Sequence, residues 1–343
     1  MFIKREVNFV ATIAFFELED WEKEYARQKL TGHVLEFIDA HVSNENIAKA
    51  KDADIIACFI YSQFTKELLL ELPKTKLITT MSTGFDHIDL QTCREKNILV
   101  ANVPSYGENT VAEHAFALLL ALSRKIIPSV ERTRKVNFNL DGLRGFDLKG
   151  KTIGVIGTGK IGQHLIRMAK GFEMNVIAFD LFPNQKAAQE LAFTYLSLSE
   201  LFSQSDIISL HIPYNQTTHH LINKKNISQI KKGAILINTA RGGLIETEAL
   251  VLALQEGIIA GAGLDVLEEE NFVREEKQLL TKQFQKESDL HIVLEDHELL
   301  AMENVLITPH NAFNSTEALM RILDTTLDNI NSFLNEKPIN IIK

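Results

Sequence analysis

Short apolar runs alternate with polar, helix-like stretches along the N-terminal third of the chain. The apolar runs lie at residues 10–16, 55–60, 77–80 and 98–100, and residues 17–30 have the polarity of an exposed helix. Strands of a parallel sheet that helices cover on both faces are continuous apolar runs of this kind. The pattern therefore predicts a parallel α/β sheet in this part of the chain.

A second alternation begins at Lys151. Its apolar runs lie at residues 152–156, 176–179, 206–210, 234–237, 260–264 and 304–307, with helical stretches between them. Such spacing is typical of βαβ units in a doubly wound sheet. At roughly 100–200 residues per domain, a chain of 343 residues has room for two domains. We predict an α/β protein with two doubly wound parallel-sheet domains.

The segments outside these alternations have patterns of their own. Residues 109–122 predict a helix that is apolar almost all round and therefore buried, between domains or subunits. Residues 136–149 predict a surface arm or a linker, and the acidic stretch at residues 268–303 predicts a surface insertion with a solvated face. Asn314, with Glu317 three positions later, predicts the start of a closing helix that crosses back to the first sheet.

Composition and charge exclude several classes of protein. The 45 Asp and Glu residues outnumber 36 Lys and Arg residues, and a net charge of −9 argues against nucleic-acid binding. The longest apolar stretch, at residues 115–122, is far shorter than the roughly 20 residues of a membrane span. Cys58 and Cys93 make neither a disulfide framework nor a metal cluster. Because the N-terminus lacks an apolar signal core, we expect a cytoplasmic protein without a metal site or a membrane partner.

A glycine-rich turn follows the first strand of the second alternation. It reads Gly157, Thr158, Gly159, Lys160, Ile161 and Gly162, and it opens a helical stretch. This spacing suits a dinucleotide, because the three glycines permit a tight turn, close approach of the pyrophosphate and close packing of the helix on the strand. The helix N-terminus then offers unpaired N–H groups to the phosphates.

The rival interpretation of this turn is a phosphate loop for nucleoside triphosphates, because Gly154, Gly159 and Lys160 fit its spacing. Ile161, however, stands where that motif needs a hydroxyl group to hold Mg²⁺. Asp180 closes the next strand, near the expected distance of ~20 residues. A carboxylate there accepts a ribose 2′-hydroxyl and repels a 2′-phosphate, so NAD is favoured over NADP as the cofactor.

Three chemically useful side chains follow later strands. They are Arg241, Glu270 with Glu268 and Glu269 beside it, and His310. In open α/β sheets, ligands gather at the carboxyl ends of the strands. Taken alone, the arginine could form a structural salt bridge at a helix cap, and the histidine could be a hydrogen-bonded residue of a loop. Together with a dinucleotide loop they predict a reaction site, whereas His114, His219 and His220 predict packing or surface roles.

Further motifs, in a fixed order, resemble those of the D-isomer-specific 2-hydroxyacid dehydrogenase family. They are Ser-Thr-Gly-Phe-Asp-His-Ile-Asp at residues 82–89, Asn-Val-Pro-Ser-Tyr at residues 102–106 and Val-Ala-Glu-His at residues 111–114. The resemblance covers essentially the whole chain. Through the Tyr106 segment and His-Asn-Ala-Phe at residues 310–313, the chain is most similar to the D-lactate dehydrogenase branch.

The resemblance implies two functional domains. A flavodoxin-like substrate domain would comprise residues 1–106 and 313–343, and a Rossmann NAD-binding domain would comprise residues 107–312. The residues implied around the cofactor are Gly157, Thr158, Gly159, Lys160, Ile161, Gly162, Asp180, His211, Ile212, Pro213, Thr218, Thr239, Ala240 and Asp265.

The resemblance also implies three catalytic roles. Arg241 would bind the substrate carboxylate and carbonyl through its planar fork of donors. His310 would protonate the carbonyl oxygen as hydride arrives at carbon, and Glu270 would hold the imidazole in its proton-loaded form. The choice of Glu270 over its two neighbours follows the family spacing from Asp265.

The substrate contacts implied are the backbone amides of Thr83 and Gly84, with Tyr106 and Phe313 bordering the pocket. We therefore expect NADH-dependent reduction of a small 2-keto acid, with pyruvate favoured, to the D-2-hydroxy acid in a cleft that closes to exclude water. The alternatives are a glyoxylate or hydroxypyruvate reductase, a phosphite dehydrogenase and, outside enzymes, an NAD-binding corepressor. The buried helix and the surface arm, with the resemblance, imply a homodimer.

Overall fold

The computed structural model describes residues 10–268 and 290–342 of the chain. The chain divides into two compact units, Met1–Gly107 with Ser315–Lys343, and Glu108–Asn314. Each unit contains a parallel sheet with helices packed against it, which confirms the predicted fold class. Phe313 belongs to the second unit, two residues before the chain returns to the first.

The described part of the first unit contains a five-stranded sheet. Its strands are β1 (Thr12–Phe16), β2 (Val34–Ile38), β3 (Ile55–Cys58), β4 (Leu77–Thr80) and β5 (Leu99–Ala101). Its first helices are α1 (Asp20–Lys29), α2 (Lys66–Leu70) and α3 (Leu90–Glu95). All pairings are parallel and the order is β2-β1-β3-β4-β5, the flavodoxin-like order. Strand β2 lies at the edge, where its side chains are only partly buried, and its mixed pattern did not predict a strand.

The second unit contains a seven-stranded sheet within the described residues. Its strands are β6 (Thr152–Ile156), β7 (Asn175–Phe179), β8 (Thr194–Tyr195), β9 (Ile207–Leu210), β10 (Ala234–Asn238), β11 (Ile259–Leu264) and β12 (Val305–Ile307). The order β12-β11-β10-β9-β6-β7-β8 is the Rossmann order with one strand added. The added strand is β12, which pairs in parallel with β11.

The helices of the second unit are α4 (Glu108–Ser123), α5 (Ile126–Arg134), α6 (Lys160–Gly171), α7 (Gln185–Glu190), α8 (Leu198–Gln204), α9 (Thr247–Gln255) and α10 (Leu290–Ala301). Helix α4 is largely buried, as its apolar pattern predicts, and residues 136–147 after α5 are mostly exposed, as expected of a surface arm. None of the described helices is long and apolar enough to cross a membrane.

Two expectations about the C-terminal part are wrong. In the described part of the acidic stretch, the expected solvated face is not found throughout, because α10 packs against α9 and β12 and buries Glu295, Asp296 and Leu299. Residues 269–289 of the stretch lie outside the described residues. The closing helix, α11 (Thr316–Leu334), is capped by Ser315, whose hydroxyl accepts the backbone N–H of Ala318, and not by Asn314. The physical reason is position: the helix begins at Thr316, so Ser315 is the residue directly before it, from which a side chain reaches the N–H of the third helical residue, and Asn314 lies one residue farther out.

Candidate active site

The predicted site residues of the second unit lie along one edge of its sheet. Because every pairing is parallel, the carboxyl ends of all the strands meet there. In spatial order from β12 to β7, the residues at this edge are His310, Asp265, Arg241, His211, Gly157 and Asp180. The chain winds in both directions from β6, and such a reversal is where a doubly wound sheet forms its ligand crevice.

Two glycines of the turn after β6, Gly157 and Gly162, have the structural roles that their spacing predicts, the tight turn and the close packing of the helix. Gly157 has a φ of +97°, and a Cβ there would lie 2.6 Å from the carbonyl oxygen of His211. A Cβ on Gly162 would lie 2.0 Å from the carbonyl oxygen of Gly157, so helix and turn touch at this point. A Cβ on Gly159 would meet no atom within 4 Å. The open space beside Gly159 fits close approach of a dinucleotide pyrophosphate.

Helix α6 begins directly behind this open space. Gly159 is its N-cap and supplies no side-chain bond to the first turn, which leaves helix N–H groups for an anion. The ammonium group of Lys160 pairs with the Glu108 carboxylate at 3.0 Å. Ile161 is the next residue, and it has no hydroxyl to offer a metal. The turn therefore offers backbone amides to phosphates, as in a dinucleotide site.

Asp180 is bonded to the glycine-rich turn. One oxygen of its carboxylate, Oδ2, accepts the backbone N–H of Thr158 at 2.7 Å and the Thr158 hydroxyl at 3.0 Å. The other, Oδ1, accepts the backbone N–H of Phe182 at 2.9 Å. The structure thus brings the predicted ribose contact and the predicted phosphate turn into one hydrogen-bonded group.

The loop after β9 holds a neutral histidine. Burial lowers the pKa of His211 to about 4, so its imidazole is uncharged near neutral pH. Its Nε2 lies 2.9 Å from the Ser209 hydroxyl. Farther along the loop, the Thr218 hydroxyl donates to the carbonyl of Pro213 at 2.8 Å and closes the turn that also contains Ile212. Thr218 therefore shapes this loop through its own backbone.

The turn after β10 is fixed by Asn238, which sequence reasoning did not single out. Its amide nitrogen donates to the carbonyl of Arg241 at 2.9 Å, and its oxygen accepts the backbone N–H of Ala240 at 3.0 Å. The Thr239 hydroxyl oxygen is buried and has no hydrogen-bond partner among the described residues. A buried orphan of this kind costs free energy unless a ligand satisfies it. This position fits a polar group of a bound nicotinamide cofactor.

Asp265 lies at the centre of a network below the last strands. Its Oδ1 accepts the Thr308 hydroxyl at 2.5 Å and the backbone N–H of Asn311 at 3.0 Å, and its Oδ2 accepts the N–H of Ala312 at 2.8 Å. Burial raises the pKa of this carboxyl, but the bonds from His114, Thr308 and the two backbone amides outweigh it and lower the pKa. Asp265 is therefore an ionised clamp on the loop after β12.

His114 belongs to this network, although the sequence predicts a packing or surface role for it. Its Nε2 lies 3.0 Å from the Thr308 hydroxyl and 3.4 Å from Oδ1 of Asp265. Because Thr308 gives its own proton to Asp265, the imidazole Nε2–H must donate to Thr308. No local pattern signals this bond, which joins residues 194 positions apart.

His310 lies in the loop that Asp265 holds. Its φ is +53°, a left-handed conformation that histidine adopts more readily than most residues, and its N–H donates to the carbonyl of Thr308 at 2.9 Å. The imidazole is partly exposed. A fixed backbone with an accessible ring suits a side chain that exchanges a proton with a ligand.

The predicted partner of His310, Glu270, lies outside the described residues, as does Glu269. Glu268 is described, and its carboxylate is engaged elsewhere. Oε1 lies 2.5 Å from Nε2 of His220, and Oε2 accepts the Thr247 hydroxyl at 2.8 Å. Glu268 therefore ties the end of β11 to the start of α9, and both of its oxygens already bond to residues other than His310.

Ligand atoms of His219, His220 and Glu268 lie within 4.8 Å of one another, close enough to raise the question of a metal ion. The two imidazoles, however, stack with centroids 3.7 Å apart and planes inclined by 26°. Nε2 of His220 is bonded to Glu268, and Nδ1 of His219 lies 3.1 Å from the Tyr214 hydroxyl, so hydrogen bonds account for both nitrogens. We assign these residues to hydrogen bonding and packing.

The predicted substrate loop of the first unit follows β4. The Thr83 hydroxyl donates to the carbonyl of Val103 at 2.9 Å, and the Ser82 hydroxyl donates to the carbonyl of Gly84 at 2.6 Å. The Asn102 amide donates to the carbonyl of Thr83 at 2.8 Å. Among the described residues, the backbone amides of Thr83 and Gly84 donate no hydrogen bond. Two adjacent, free N–H groups on a braced loop suit a carboxylate.

Tyr106 and Phe313, predicted at the substrate side chain, lie in different units. The carbonyl of Tyr106 accepts the guanidinium Nε–H of Arg321, which fixes the segment before α4 against the closing helix. Phe313 follows the clamped segment after β12 and is partly buried. The roles of Tyr106 and Phe313 at one substrate therefore stay predictions.

Comparison with known proteins adds to this geometry. Residues 116–312 match the family model described as "D-isomer specific 2-hydroxyacid dehydrogenase, NAD binding domain". The D-lactate dehydrogenase of Escherichia coli (strain K12) is 37% identical over 326 residues, which cover 93% of this chain and 96% of that protein. The glyoxylate reductase of Thermococcus litoralis is 33% identical over 353 residues, with 100% and 96% coverage.

Solved structures give the same result. The crystal structure of the D-lactate dehydrogenase from Aquifex aeolicus, complexed with NAD and lactic acid, aligns with a TM-score of 0.84 at 37% identity. The alignment covers 95% of this chain and 96% of that one.

Proposed function

The chain belongs to the D-isomer specific 2-hydroxyacid dehydrogenase family and is an NAD-dependent oxidoreductase, and from this premise we propose that it reduces pyruvate to D-lactate. The observation that carries the proposal is the arrangement of Arg241, Asp265 and His310 at the ends of three adjacent strands, β10, β11 and β12. It supports the proposal because a guanidinium, which suits a carboxylate, and an imidazole, which suits proton transfer, follow strands at the same sheet edge as the glycine-rich turn.

The cofactor fits the second unit at the open space beside Gly159, at Asp180 and at the orphaned hydroxyl of Thr239. When bound, NADH supplies the hydride. In the proposed reaction, the guanidinium of Arg241 binds the 2-keto acid and orients its carbonyl. His310 donates a proton to the carbonyl oxygen, so that a keto acid, NADH and a proton become a hydroxy acid and NAD⁺.

The remaining site residues support these two. Asp265 holds the loop that carries His310, and Glu270 would hold the imidazole in its protonated form. The free amides of Thr83 and Gly84 would bind the substrate carboxylate, with Tyr106 bordering the methyl group. Phe313, directly after the clamped loop, would border the same apolar side.

Pyruvate is favoured over glyoxylate by two considerations. The Escherichia coli and Aquifex aeolicus relatives, both at 37% identity, are D-lactate dehydrogenases, whereas the glyoxylate reductase is 33% identical. The proposed aromatic border also favours a methyl group, which glyoxylate lacks. The opposite stereochemistry, or a preference for glyoxylate or hydroxypyruvate, is an outcome of the test.

The test is a panel of 2-keto acids reduced by the full chain with NADH. Pyruvate should have a higher kcat/KM than glyoxylate and hydroxypyruvate, and the product should be oxidised only by an enzyme specific for D-lactate. A His310→Asn variant, purified identically, controls for host dehydrogenases. Turnover of glyoxylate without turnover of pyruvate would show that the substrate assignment is wrong, and NAD⁺ reduction by phosphite would indicate the other enzyme class.

The partner that we propose for the protein is a second copy of the same chain. Six apolar side chains on α5 and the surface arm are exposed: Ile126, Ile127, Val130, Val136, Phe138 and Leu140. Monomeric proteins seldom expose so many apolar side chains in one stretch. Sedimentation should give about twice the chain mass of 38.7 kDa. Phe138→Asp should lower the sedimenting mass, whereas Phe182→Asp, which lies outside these six residues, should not.

We also propose a cytoplasmic location, which suits two cysteines that are free and buried.

A further inference from the structure

Tyr195, in the short strand β8, places its hydroxyl beside the glycine-rich turn. The phenol oxygen lies 2.6 Å from the Thr158 hydroxyl and accepts the backbone N–H of Asn184 at 3.0 Å. Thr158 is almost completely buried, and its hydroxyl bonds to Asp180. One phenol group thus connects the turn after β6 with the segment after β7.

The direction of these hydrogen bonds follows from the number of protons. The Thr158 hydroxyl has a single proton, which it donates to Oδ2 of Asp180. The short contact between Thr158 and Tyr195 must therefore use the phenol proton, with Thr158 accepting. The result is a chain of donors from the Asn184 N–H through the two hydroxyls to the Asp180 carboxylate.

This chain determines which part of the carboxylate is left for a ligand. A carboxylate has about four acceptor positions, two on each oxygen. Thr158 fills both positions on Oδ2 with its N–H and its hydroxyl, and the N–H of Phe182 fills one on Oδ1. Within the described residues, the position that stays open is therefore on Oδ1, and the orientation of the carboxylate is fixed by Thr158.

We propose that Tyr195 is a positioning residue that sets the coenzyme preference by holding Thr158 and, through it, the Asp180 carboxylate. The proposal rests on the ribose contact assigned to Asp180. A carboxylate held with one open acceptor position receives a 2′-hydroxyl and repels a 2′-phosphate. Without the phenol group, Thr158 loses a donor and Asn184 loses an acceptor, so the Thr158 hydroxyl, one of the three donors to the carboxylate, is held less firmly. NADH then binds less tightly, and NADPH is repelled less.

The experiment compares the full chain with its Tyr195→Phe variant. Dissociation constants for NADH and NADPH, measured by nucleotide fluorescence without substrate, should give a ratio (NADPH over NADH) that is about tenfold lower in the variant, as expected for a weakened hydrogen bond to a charged group. The kcat at saturating NADH should change far less than the KM for NADH. Tyr25→Phe, which removes a hydroxyl that donates to Asp324 in the first unit, is the matched control and should keep the wild-type ratio.

A double-mutant cycle tests whether the effect passes through Thr158. Thr158→Val should itself lower the ratio, and adding Tyr195→Phe should lower it no further. An unchanged ratio in Tyr195→Phe, an equal weakening of both coenzymes, or additive effects in the double variant would each overturn the proposal. Asp180→Ala separates the ribose contact from the positioning role of Tyr195. If Asp180→Ala still prefers NADH, the ribose contact assigned to Asp180 is wrong. If Asp180→Ala loses the preference but Tyr195→Phe keeps it, only the positioning role of Tyr195 is wrong.

Discussion

The carboxylate of Asp265 accepts the backbone N–H of Ala312 at 2.8 Å, two residues beyond His310. The same side chain accepts the N–H of Asn311 and the hydroxyl of Thr308. These bonds bracket His310 on both sides and hold its backbone in the left-handed region. The position of the proposed proton donor therefore depends on an acid that need not touch the substrate.

Replacing Asp265 by Asn should loosen this loop. The amide has one acceptor oxygen where the carboxylate has two, so at least one buried N–H or hydroxyl loses its partner, at a cost of about 1–3 kcal/mol. We expect a lower free energy of unfolding in urea and a lower kcat for keto-acid reduction. The pKa of Asp265 is lowered, so the wild type should lose this stabilisation as the pH falls below the ordinary aspartate value of 3.8, and the variant should not.

Asp206→Asn is the matched control for this change. Asp206 also accepts a backbone N–H, that of Thr152 at 2.9 Å, and pairs with Lys231 at 2.8 Å, but it lies at the opposite end of the strands. The Asp206→Asn variant should have a lower free energy of unfolding and a kcat near the wild-type value. Equal kcat for Asp265→Asn and wild type would contradict the clamp.

His310→Asn tests the proposed proton donor. Asparagine tolerates the left-handed backbone at this position, so the change removes the imidazole with little strain. General acid catalysis contributes about 10²–10⁴-fold, and kcat should fall by that factor while the dissociation constant for NADH stays within about twofold. Measuring both quantities on one preparation decides the matter, since an unchanged kcat eliminates His310 as the acid.

Glu270→Gln and Glu268→Gln test which acid pairs with His310. Glu268 bonds to His220 and Thr247, so its variant should unfold at a lower temperature and keep most of its kcat. Glu270→Gln should lower kcat by about tenfold or more, because the amide cannot hold the imidazole in its protonated form as a carboxylate does. A fall in kcat for the Glu268 variant alone would transfer the role to that residue.

The positions of the site residues were predictable because each follows an apolar run that ends at the same edge of a sheet. Gly157, Asp180 and His310 were recognised in this way. The bonds that hold them were not, since Asp265 meets Thr308 and His114 only after the chain has folded. Tyr195 was missed for a different reason: its strand has two residues, too few for a period in the sequence.

Below neutral pH, the change of the free energy of unfolding with pH should depend on His211. Its pKa is lowered from 6.5 to about 4, because burial disfavours the charged ring, so the folded chain stays unprotonated where the unfolded chain binds a proton. The free energy of unfolding is therefore unaffected by this titration above a pH of about 6.5, and it declines as the pH falls toward about 4. Urea midpoints of wild type and His211→Gln across this range should converge at the acid end. Parallel curves would show that His211 does not contribute.

Two glycines of the dinucleotide turn should respond differently to alanine. A Cβ on Gly162 would lie 2.0 Å from the carbonyl of Gly157, so Gly162→Ala must displace α6 from β6 and should lower stability by roughly 1–3 kcal/mol. A Cβ on Gly159 would enter open space, and its φ is negative, so Gly159→Ala should melt like the wild type. The new methyl group would nevertheless stand where the pyrophosphate approaches the backbone, and NADH should bind about tenfold more weakly through the loss of a backbone hydrogen bond to a charged group. Melting temperature and NADH affinity, measured on both variants, separate the two roles. Tight NADH binding by a stable Gly159→Ala variant would mean that the dinucleotide does not pass over this turn.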